Sequence, residues 1–517
     1  MSRPPCRPLR ISSLANASVT LALQLRKFLL EGDSEDDVGP KDLLACLRHA
    51  ASGGLRASVL GFLGRSGISL GFMLLGLRKV PETYRLDAVR HALFGESSVR
   101  TAAMLGSFVA IYRLVKNLAQ SSSVKPSSKA GINEIDEEPP DINAYEQWII
   151  PAAAGGLAAA IGISFEKRTS RPGIAQEALA RGLQGWYNVT SSTKYGFNIP
   201  YGDILAYSLC MGQLMYVFLM RPEAIPNGLR KWFFESCGVP AEGVYINHDL
   251  VWNRTYDPKH METIMRRKDI TPENFTELAE HLASHDLPQS PAVPCAVMHP
   301  AMTSCLAYPP MFLWDRFKWM LPVYAAVHSA TLLLMRPTLL VKYPVRTMLS
   351  ATFAIGRTSI MQALNPTVYQ ALLCSKSNLY NALTVLRSSS GNSSLAVRLA
   401  KALPSSVVDA LVSDKSFFVM GMVMGTPMIM EERRRRAMFL LCVLPRALES
   451  VGVLLRSAGR VPNTGRFGPT LAASVGMAMV MSVYQNQPQH LSSPVRRILH
   501  QLIGPIPGRK LLLPRSV

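Results

Sequence analysis

Mostly apolar stretches alternate with short polar connections along this chain, and they fall into two series. A membrane-spanning helix usually needs ~17–25 apolar residues, so the shorter stretches would need snorkelling flanks or a locally thinner bilayer. The pattern predicts an all-α membrane protein with about eight short transmembrane helices. The apolar stretches cover residues 57–77, 101–115, 148–165 and 201–220, then 320–335, 347–364, 416–430 and 470–486.

Several residues of the first series recur in the second, in the same order and about 260 residues later. If each copy contains an even number of spans, both copies have the same orientation, which predicts two parallel repeats of about four helices each. The matched positions include Arg100-Thr101 with Arg357-Thr358, Gly156 with Gly421, Glu166 with Glu431, and Pro222 with Pro488.

The predicted domains follow from these repeats. A polar stretch without a continuous apolar run separates the two copies and is expected to lie outside the membrane. Residues 438–455 carry charges and are expected on the membrane surface; the alternative is that they span the membrane themselves. The expected boundaries are 1–56 for a basic N-terminal segment, 57–221 for the first repeat, 222–310 for the insert, 311–500 for the second repeat and 501–517 for a basic tail.

Composition agrees with a membrane protein. Hydrophobic residues make up 48% of the chain and charged residues only 17%, too apolar a balance for most soluble proteins. The net charge of +20 comes from basic clusters between the apolar stretches, where membrane proteins carry their orientation charge. The expected partner is therefore the lipid bilayer, with contact to anionic lipids as a second role for these clusters, and not nucleic acid.

Small and charged residues inside the apolar stretches predict packing and pairing. Gly156 and Ala160 recur as Gly421 and Gly425, and small residues four apart let two helices approach closely. Charges in a bilayer are costly unless they are paired or face water. They therefore predict either structural ion pairs or a polar pathway, and the charges in question are Arg65, Asp203 and Arg357.

The densest chemical motif lies just before the second series, where Cys295, His299 and Cys305 fall within eleven positions. These side chains could supply three zinc ligands, with the fourth from His281, His285 or elsewhere. The alternatives are a disulfide between the two cysteines and simple packing at a helix entry. The sequence predicts no cofactor, and zinc at these residues is the alternative.

Four groups of residues give the chain a resemblance to the transmembrane protein 135 family. The segment 295–305, with Pro300 after its histidine, resembles that family's cysteine-rich signature. The other groups are Leu105-Gly106-Ser107-Phe108-Val109, Pro200-Tyr201-Gly202-Asp203 followed by Met220-Arg221-Pro222-Glu223, and Pro445-Arg446-Ala447-Leu448-Glu449-Ser450.

This resemblance implies a multi-pass protein of peroxisomal or mitochondrial membranes. It implies roles in organelle organisation, mitochondrial fission balance and lipid handling, with organelle-shaping proteins as partners and without an established catalytic reaction. The four-span unit is also similar, more remotely, to the mitochondrial inner-membrane import channel family. Two alternatives follow: a conduit for protein, lipid or metabolite, and a metal- or thiol-dependent membrane enzyme. The basic, acid-poor N-terminus fits a mitochondrial targeting segment or a solvated tail equally well.

Overall fold

The structure is a computed structural model, and all its regular elements within the described residues are helical. The all-α prediction is thus confirmed. Residues 1–42 of the expected N-terminal segment and 505–517 of the expected tail lie outside the described residues, whereas 43–56 form the start of the first helix. The structure describes residues 43–76, 81–123, 144–192, 199–284, 289–335, 337–389, 394–462 and 465–504.

The α-helices are numbered here along the chain. Those of the first half are α1 (Leu43–Gly76), α2 (Arg85–Phe94), α3 (Glu96–Ser123), α4 (Ala144–Gly162), α5 (Arg171–Ser192), α6 (Gly202–Met220), α7 (Asn227–Cys237), α8 (Ala241–Asn253), α9 (Pro258–Met265) and α10 (Pro272–Ala283). Those of the second half are α11 (Cys295–Met298), α12 (Tyr308–Met335), α13 (Pro337–Lys342), α14 (Pro344–Ser388), α15 (Leu395–Ala402), α16 (Ser405–Leu411), α17 (Asp414–Met424), α18 (Arg433–Ser457), α19 (Gly468–Asn486) and α20 (Ser493–Ile503).

The chain divides into two compact units. Unit 1 comprises Met1–Asn198 and Thr464–Val517, and unit 2 comprises Ile199–Asn463. These boundaries differ from the expected ones at 221/222 and 310/311, because α6 and α19 pack away from the helices that precede them in sequence. The polar stretch 222–310 belongs to unit 2 together with the second apolar series.

In unit 1, α1 packs along α3, and α19 packs against both α4 and α5. The core contains the fully buried rings of Tyr112 and Tyr484 among small residues such as Ala154 and Ala158. The Tyr484 hydroxyl donates to the carbonyl of Gly504 at 3.2 Å, which ties α19 to the end of α20. Small side chains at the contacts explain how these helices approach closely.

In unit 2, α6 packs against α17 and α18, while α12 packs along α14. The short helices of the insert bury Ile246, Met261, Ile264 and Leu278 in the same core that receives α6. The insert therefore has a hydrophobic core continuous with the long helices of its unit.

Four helical stretches are long and apolar enough to cross a membrane: Glu82–Ala119, Gln147–Phe165, Gly202–Met220 and Arg435–Ser457. They indicate a multi-pass membrane protein. The first three contain the predicted spans 101–115, 148–165 and 201–220. The fourth contains 438–455, which favours the alternative in which this segment itself spans the membrane.

The remaining predicted spans also lie in helices, but within the described residues none of these helices has the combined length and apolarity of a span. For example, α14 continues from Pro344 to Ser388, far beyond the predicted stretch 347–364. The helices thus extend across polar positions that the hydropathy pattern treated as connections.

Candidate functional site

Four metal-ligating side chains meet in unit 2. They are Cys295 at the start of α11, His299 directly after it, Cys305 in the loop before α12, and Cys374 in α14. Their ligand atoms all lie within 4.8 Å of one another. The structure therefore brings the three residues predicted from sequence together and adds a fourth from a distant helix.

The fourth group is not one of the histidines suggested by the sequence. His281 lies in α10, where its carbonyl accepts a hydrogen bond from the Tyr256 hydroxyl at 3.1 Å, and it is not part of the group. His285 lies outside the described residues. Sequence spacing gave no signal for Cys374, because it is isolated within a helical stretch.

The side-chain amide of Asn274 on α10 holds the loop between the histidine and the second cysteine. Its nitrogen donates to the carbonyls of His299, Pro300 and Met302 at 3.3, 2.9 and 3.1 Å. The backbone N–H of Thr271 also donates to the Pro300 carbonyl at 3.1 Å. Pro300, one of the residues that carry the family resemblance, therefore lies in a loop whose carbonyl groups are held by α10 and the residue before it.

The imidazole of His299 is oriented by its surroundings. Its Nδ1 lies 2.7 Å from the Met302 carbonyl oxygen, a contact that places the ring proton on Nδ1 and leaves Nε2 available as a ligand. Nε2 lies 3.5 Å from the Cys305 sulfur. The Tyr308 ring stacks on the imidazole with centroids 4.7 Å apart and covers one face of it.

The environment also changes the proton affinities of the group. The hydrogen bond with Cys374, followed by burial, raises the pKa of the Cys295 thiol above its usual range. Burial tends to lower the pKa of His299, but contacts with Cys295, the Met302 carbonyl and Cys305 raise it to about 9. Neither Cys295 nor Cys305 forms a disulfide in this structure.

The three charges predicted inside apolar stretches have different surroundings. Arg357 on α14 forms ion pairs with Glu431 at 3.2 Å and Glu432 at 2.7 Å. Asp203, in the first turn of α6, lies 3.9 Å from the Arg436 guanidinium. Arg65 is exposed on α1. Two of the three charges, Asp203 and Arg357, thus lie in ion pairs.

The glycines of α17 form a tight helix contact with α6. A Cβ atom at Gly421 would lie 2.8 Å from the Cα of Gly212, and one at Gly425 would lie 2.6 Å from the Cα of Ser208. Because the opposing atoms are backbone, they cannot rotate away. This geometry supports the predicted packing role of Gly421 and Gly425, and it adds Ser208 and Gly212, four residues apart on α6, which the sequence analysis did not identify.

The corresponding glycine of α4 contacts α19. A Cβ at Gly156 would lie 3.2 Å from the Ser474 hydroxyl, which itself donates to the Gly156 carbonyl at 2.9 Å. The neighbouring Gly155 is tighter, since a Cβ there would lie 2.9 Å from the Met477 carbonyl. Ala160 is half-buried on the same helix.

A buried carboxylate organises the turn between α4 and α5. The Thr101 hydroxyl donates to Glu166 at 3.4 Å, and the backbone N–H of Lys167 donates to the same carboxylate at 3.1 Å. The Arg171 guanidinium donates to the Glu166 carbonyl at 2.9 Å. Together these groups close the end of α4.

The turn between α17 and α18 contains the same arrangement. The Thr358 hydroxyl donates to Glu431 at 2.7 Å, and the backbone N–H of Glu432 donates to that carboxylate at 3.0 Å. The Arg436 guanidinium donates to the Glu431 carbonyl at 2.9 Å. In both turns the arginine belongs to a basic cluster that the sequence assigned to membrane orientation.

The remaining family-like residues lie at the ends and in the middle of unit 2 helices. Tyr201 caps α6 in the left-handed region with φ of +58°, directly before Gly202. At the other end of α6, Arg221 lies over the Trp252 ring, and Pro222 begins a short 3₁₀ turn.

Two further family-like residues form an ion pair within a candidate span. Arg446 and Glu449, both on α18, are 3.1 Å apart. Beside them the Gln213 amide on α6 donates to the Ser450 hydroxyl at 3.1 Å. This polar cluster (Arg446, Glu449, Ser450 and Gln213) lies near the middle of Arg435–Ser457 and Gly202–Met220, two of the four candidate spans.

Comparison with known proteins gives no relative: no family model, curated protein or solved structure matches this chain.

Proposed function

We propose that this chain is a non-enzymatic, multi-pass protein of a peroxisomal or mitochondrial membrane that organises the organelle and handles lipid. The membrane part of the proposal rests on one observation. In the most apolar window of Arg435–Ser457 only 22% of the residues are buried within the protein, and in Glu82–Ala119 only 33%.

This low burial of apolar helices is the opposite of the arrangement found in soluble proteins. In a soluble protein the most apolar helices are buried, because each exposed apolar side chain forgoes about 25 cal/mol per Å² of hydrophobic stabilisation. Helices that are both very apolar and outward-facing require another apolar medium, and a lipid bilayer is that medium.

We infer further that the fold arose from an internal duplication with two parallel copies. The matched turns at Glu166 and Glu431 support this, because residues aligned by the sequence repeat make the same threonine, backbone and arginine contacts. The pairing of α19 with α4 and α5 also corresponds to the pairing of α6 with α17 and α18.

The organelle and the lipid role rest on the resemblance to the transmembrane protein 135 family. Basic residues at the start of α18, such as Arg433, would face the cytosolic or matrix side and contact anionic headgroups. Partners that shape organelles would meet the protein at this face.

Cell fractionation tests this proposal. An epitope is inserted within the polar stretch 124–143, and membranes are extracted with carbonate and compared with mitochondrial and peroxisomal markers. We expect a carbonate-resistant signal with one of these organelles, and altered organelle shape and lipid content after gene deletion. A carbonate-soluble signal would refute membrane residence. Normal organelles and lipids after deletion would refute the role in organelle organisation and lipid handling.

A conduit is a second candidate function, favoured by the polar cluster around Arg446. Ionisable residues at membrane depth are costly and are usually retained for a pathway or relay. Here an ion pair and an amide from two candidate spans lie together, which is a better basis for a conduit than Arg65, Asp203 and Arg357.

Scanning cysteines along α18 would test the conduit. We expect a membrane-impermeant thiol reagent to reach positions beside Arg446 and Glu449 but not positions on the opposite face of the helix. Equal protection of both faces would mean that the ion pair is sealed inside the protein, and would remove this function.

A further inference from the structure

We propose that Cys295, His299, Cys305 and Cys374 bind one Zn²⁺ ion, which fastens the insert to helix α14. This assignment is independent of the organelle and lipid role. It would stand if that role were wrong, because it depends only on how unit 2 folds.

The donor set suits zinc. Three thiolates and one imidazole match the Cys₃His composition of closed, four-coordinate structural zinc sites. A tetrahedral site with Zn–S bonds of about 2.3 Å needs sulfur atoms about 3.8 Å apart, and the four ligand atoms already lie within 4.8 Å of one another. Side-chain rotations suffice for the remaining contraction.

The surroundings favour a metal over a disulfide. A disulfide would use two of the sulfurs and leave the third thiol and the imidazole without a role. By contrast, the contact of His299 Nδ1 with the Met302 carbonyl fixes the ring so that Nε2 faces the cysteines, as outer contacts do around zinc ligands. The Cys295 thiol also lies 3.5 Å from the Asn378 side-chain oxygen.

Asn378 follows Cys374 by one helical turn, so both residues face the same site. In the metal-free state the Cys295 thiol donates to its oxygen. When a Zn–S bond replaces the S–H bond and the proton is released to solvent, rotation of the amide would present an N–H to the sulfur instead. One side chain can therefore serve both states.

The site is structural because it is closed. His299 is 3% exposed and Cys374 is 5% exposed, and all four positions are occupied by protein groups, which leaves no coordination position for a substrate. Three ligands come from one loop and the fourth from the middle of α14. Zinc would therefore link the insert to α14 beside the hydrogen bond that the Cys295 thiol donates to Asn378.

Metal analysis of the full-length protein tests the site. The protein is purified in mild detergent without chelators, and its metal content is measured by plasma mass spectrometry. We expect about one zinc per chain, and loss of most of it in Cys374→Ser. The matched control is Cys210→Ser on α6, a cysteine that is similarly buried at 6% but does not belong to the group of four, and it should retain zinc.

A second measurement uses the unaltered protein, so it does not depend on the folding of a variant. Thiol labelling is read by mass spectrometry with and without a zinc chelator. We expect Cys295 and Cys305 to be protected until the chelator is added, and replacement of zinc by cobalt(II) to give the absorption of a tetrahedral thiolate complex. A protein that neither contains nor takes up zinc, a disulfide among these cysteines, or an iron–sulfide cluster would each overturn the proposal.

Discussion

At the residue scale, Asn274 holds the loop of the candidate metal centre, although it lies in a short surface helix. Its amide nitrogen donates to three carbonyl groups of the loop that contains His299, and the residue is only 4% exposed. The sequence presents the same residue as a glycosylation acceptor, Asn274-Phe-Thr276. Burial of the amide leaves no room for a sugar in the folded protein.

Replacing this residue should destabilise unit 2. In Asn274→Ala three carbonyls lose a shared donor while each keeps one other donor, and each hydrogen bond lost contributes about 0.5–1.5 kcal/mol. We expect a clearly lower melting midpoint in detergent and, if zinc is bound, metal affinity weakened about 10–100-fold as for other outer contacts.

The control for that prediction is Asn253→Ala at the exposed end of α8. Its change in stability should stay within about 0.5 kcal/mol, as is usual for surface positions. If the two variants had the same melting midpoint, water would replace the amide and other contacts would hold the loop.

At the element scale, the tight seam between α6 and α17 depends on glycine. Gly421→Leu would place a side chain where the backbone of Gly212 and Met211 lies at 2.8 Å, so the helices would have to separate. Overpacking of this kind costs about 1–3 kcal/mol or more. We expect a lower melting midpoint and a lower yield of folded protein in detergent.

The matched substitution is Gly356→Leu on α14. A Cβ there meets no atom within 4 Å, and leucine is a better helix former than glycine by up to ~1 kcal/mol. This variant should be neutral or stabilising. If Gly421→Leu and Gly356→Leu lowered the melting midpoint equally, the contact between α6 and α17 would not explain the loss of stability.

Two helices, α6 and α19, pack in a different unit from the helix that precedes each of them in the sequence. Helix α6 follows α5 along the chain but packs in unit 2, and α19 follows α18 but packs in unit 1. Each of the two helices thus has its main contacts in the unit formed by the other apolar series. Hydropathy reports that a helix is apolar, but it contains no information about which partner the helix chooses.

At the scale of the whole molecule, exposed apolar residues in the candidate spans predict that an introduced charge will reduce insertion into the membrane. Leu157 is 48% exposed in the middle of Gln147–Phe165. In water Leu157→Asp would be nearly neutral, whereas an aspartate at the centre of a membrane helix costs about 2.5–3.5 kcal/mol. We expect a reduced carbonate-resistant fraction in cells.

Phe275→Asp is the corresponding control. Phe275 is similarly exposed, at 44%, but lies on α10 in the insert, which is expected outside the membrane. Its substitution should leave membrane insertion unchanged. Equal insertion of both variants would show that Gln147–Phe165 does not cross the bilayer.

The sequence by itself determined the all-α class and the membrane-like composition, because both follow from local properties: apolar stretches, small residues and basic connections. It also located three of the four residues at the candidate metal centre, since Cys295, His299 and Cys305 are close along the chain. Gly421 and Gly425 could be found for the same reason, through their four-residue spacing.

Only the tertiary structure decided what depends on contacts between distant segments. Cys374 joins the other three ligands because α14 packs beside the insert, and Gly212 becomes important only because α17 lies against α6. The choice of partner for α6 and α19 is of the same kind. Such contacts depend on the shapes of two surfaces at once, and neither surface can be derived from the hydrophobic pattern of its own segment.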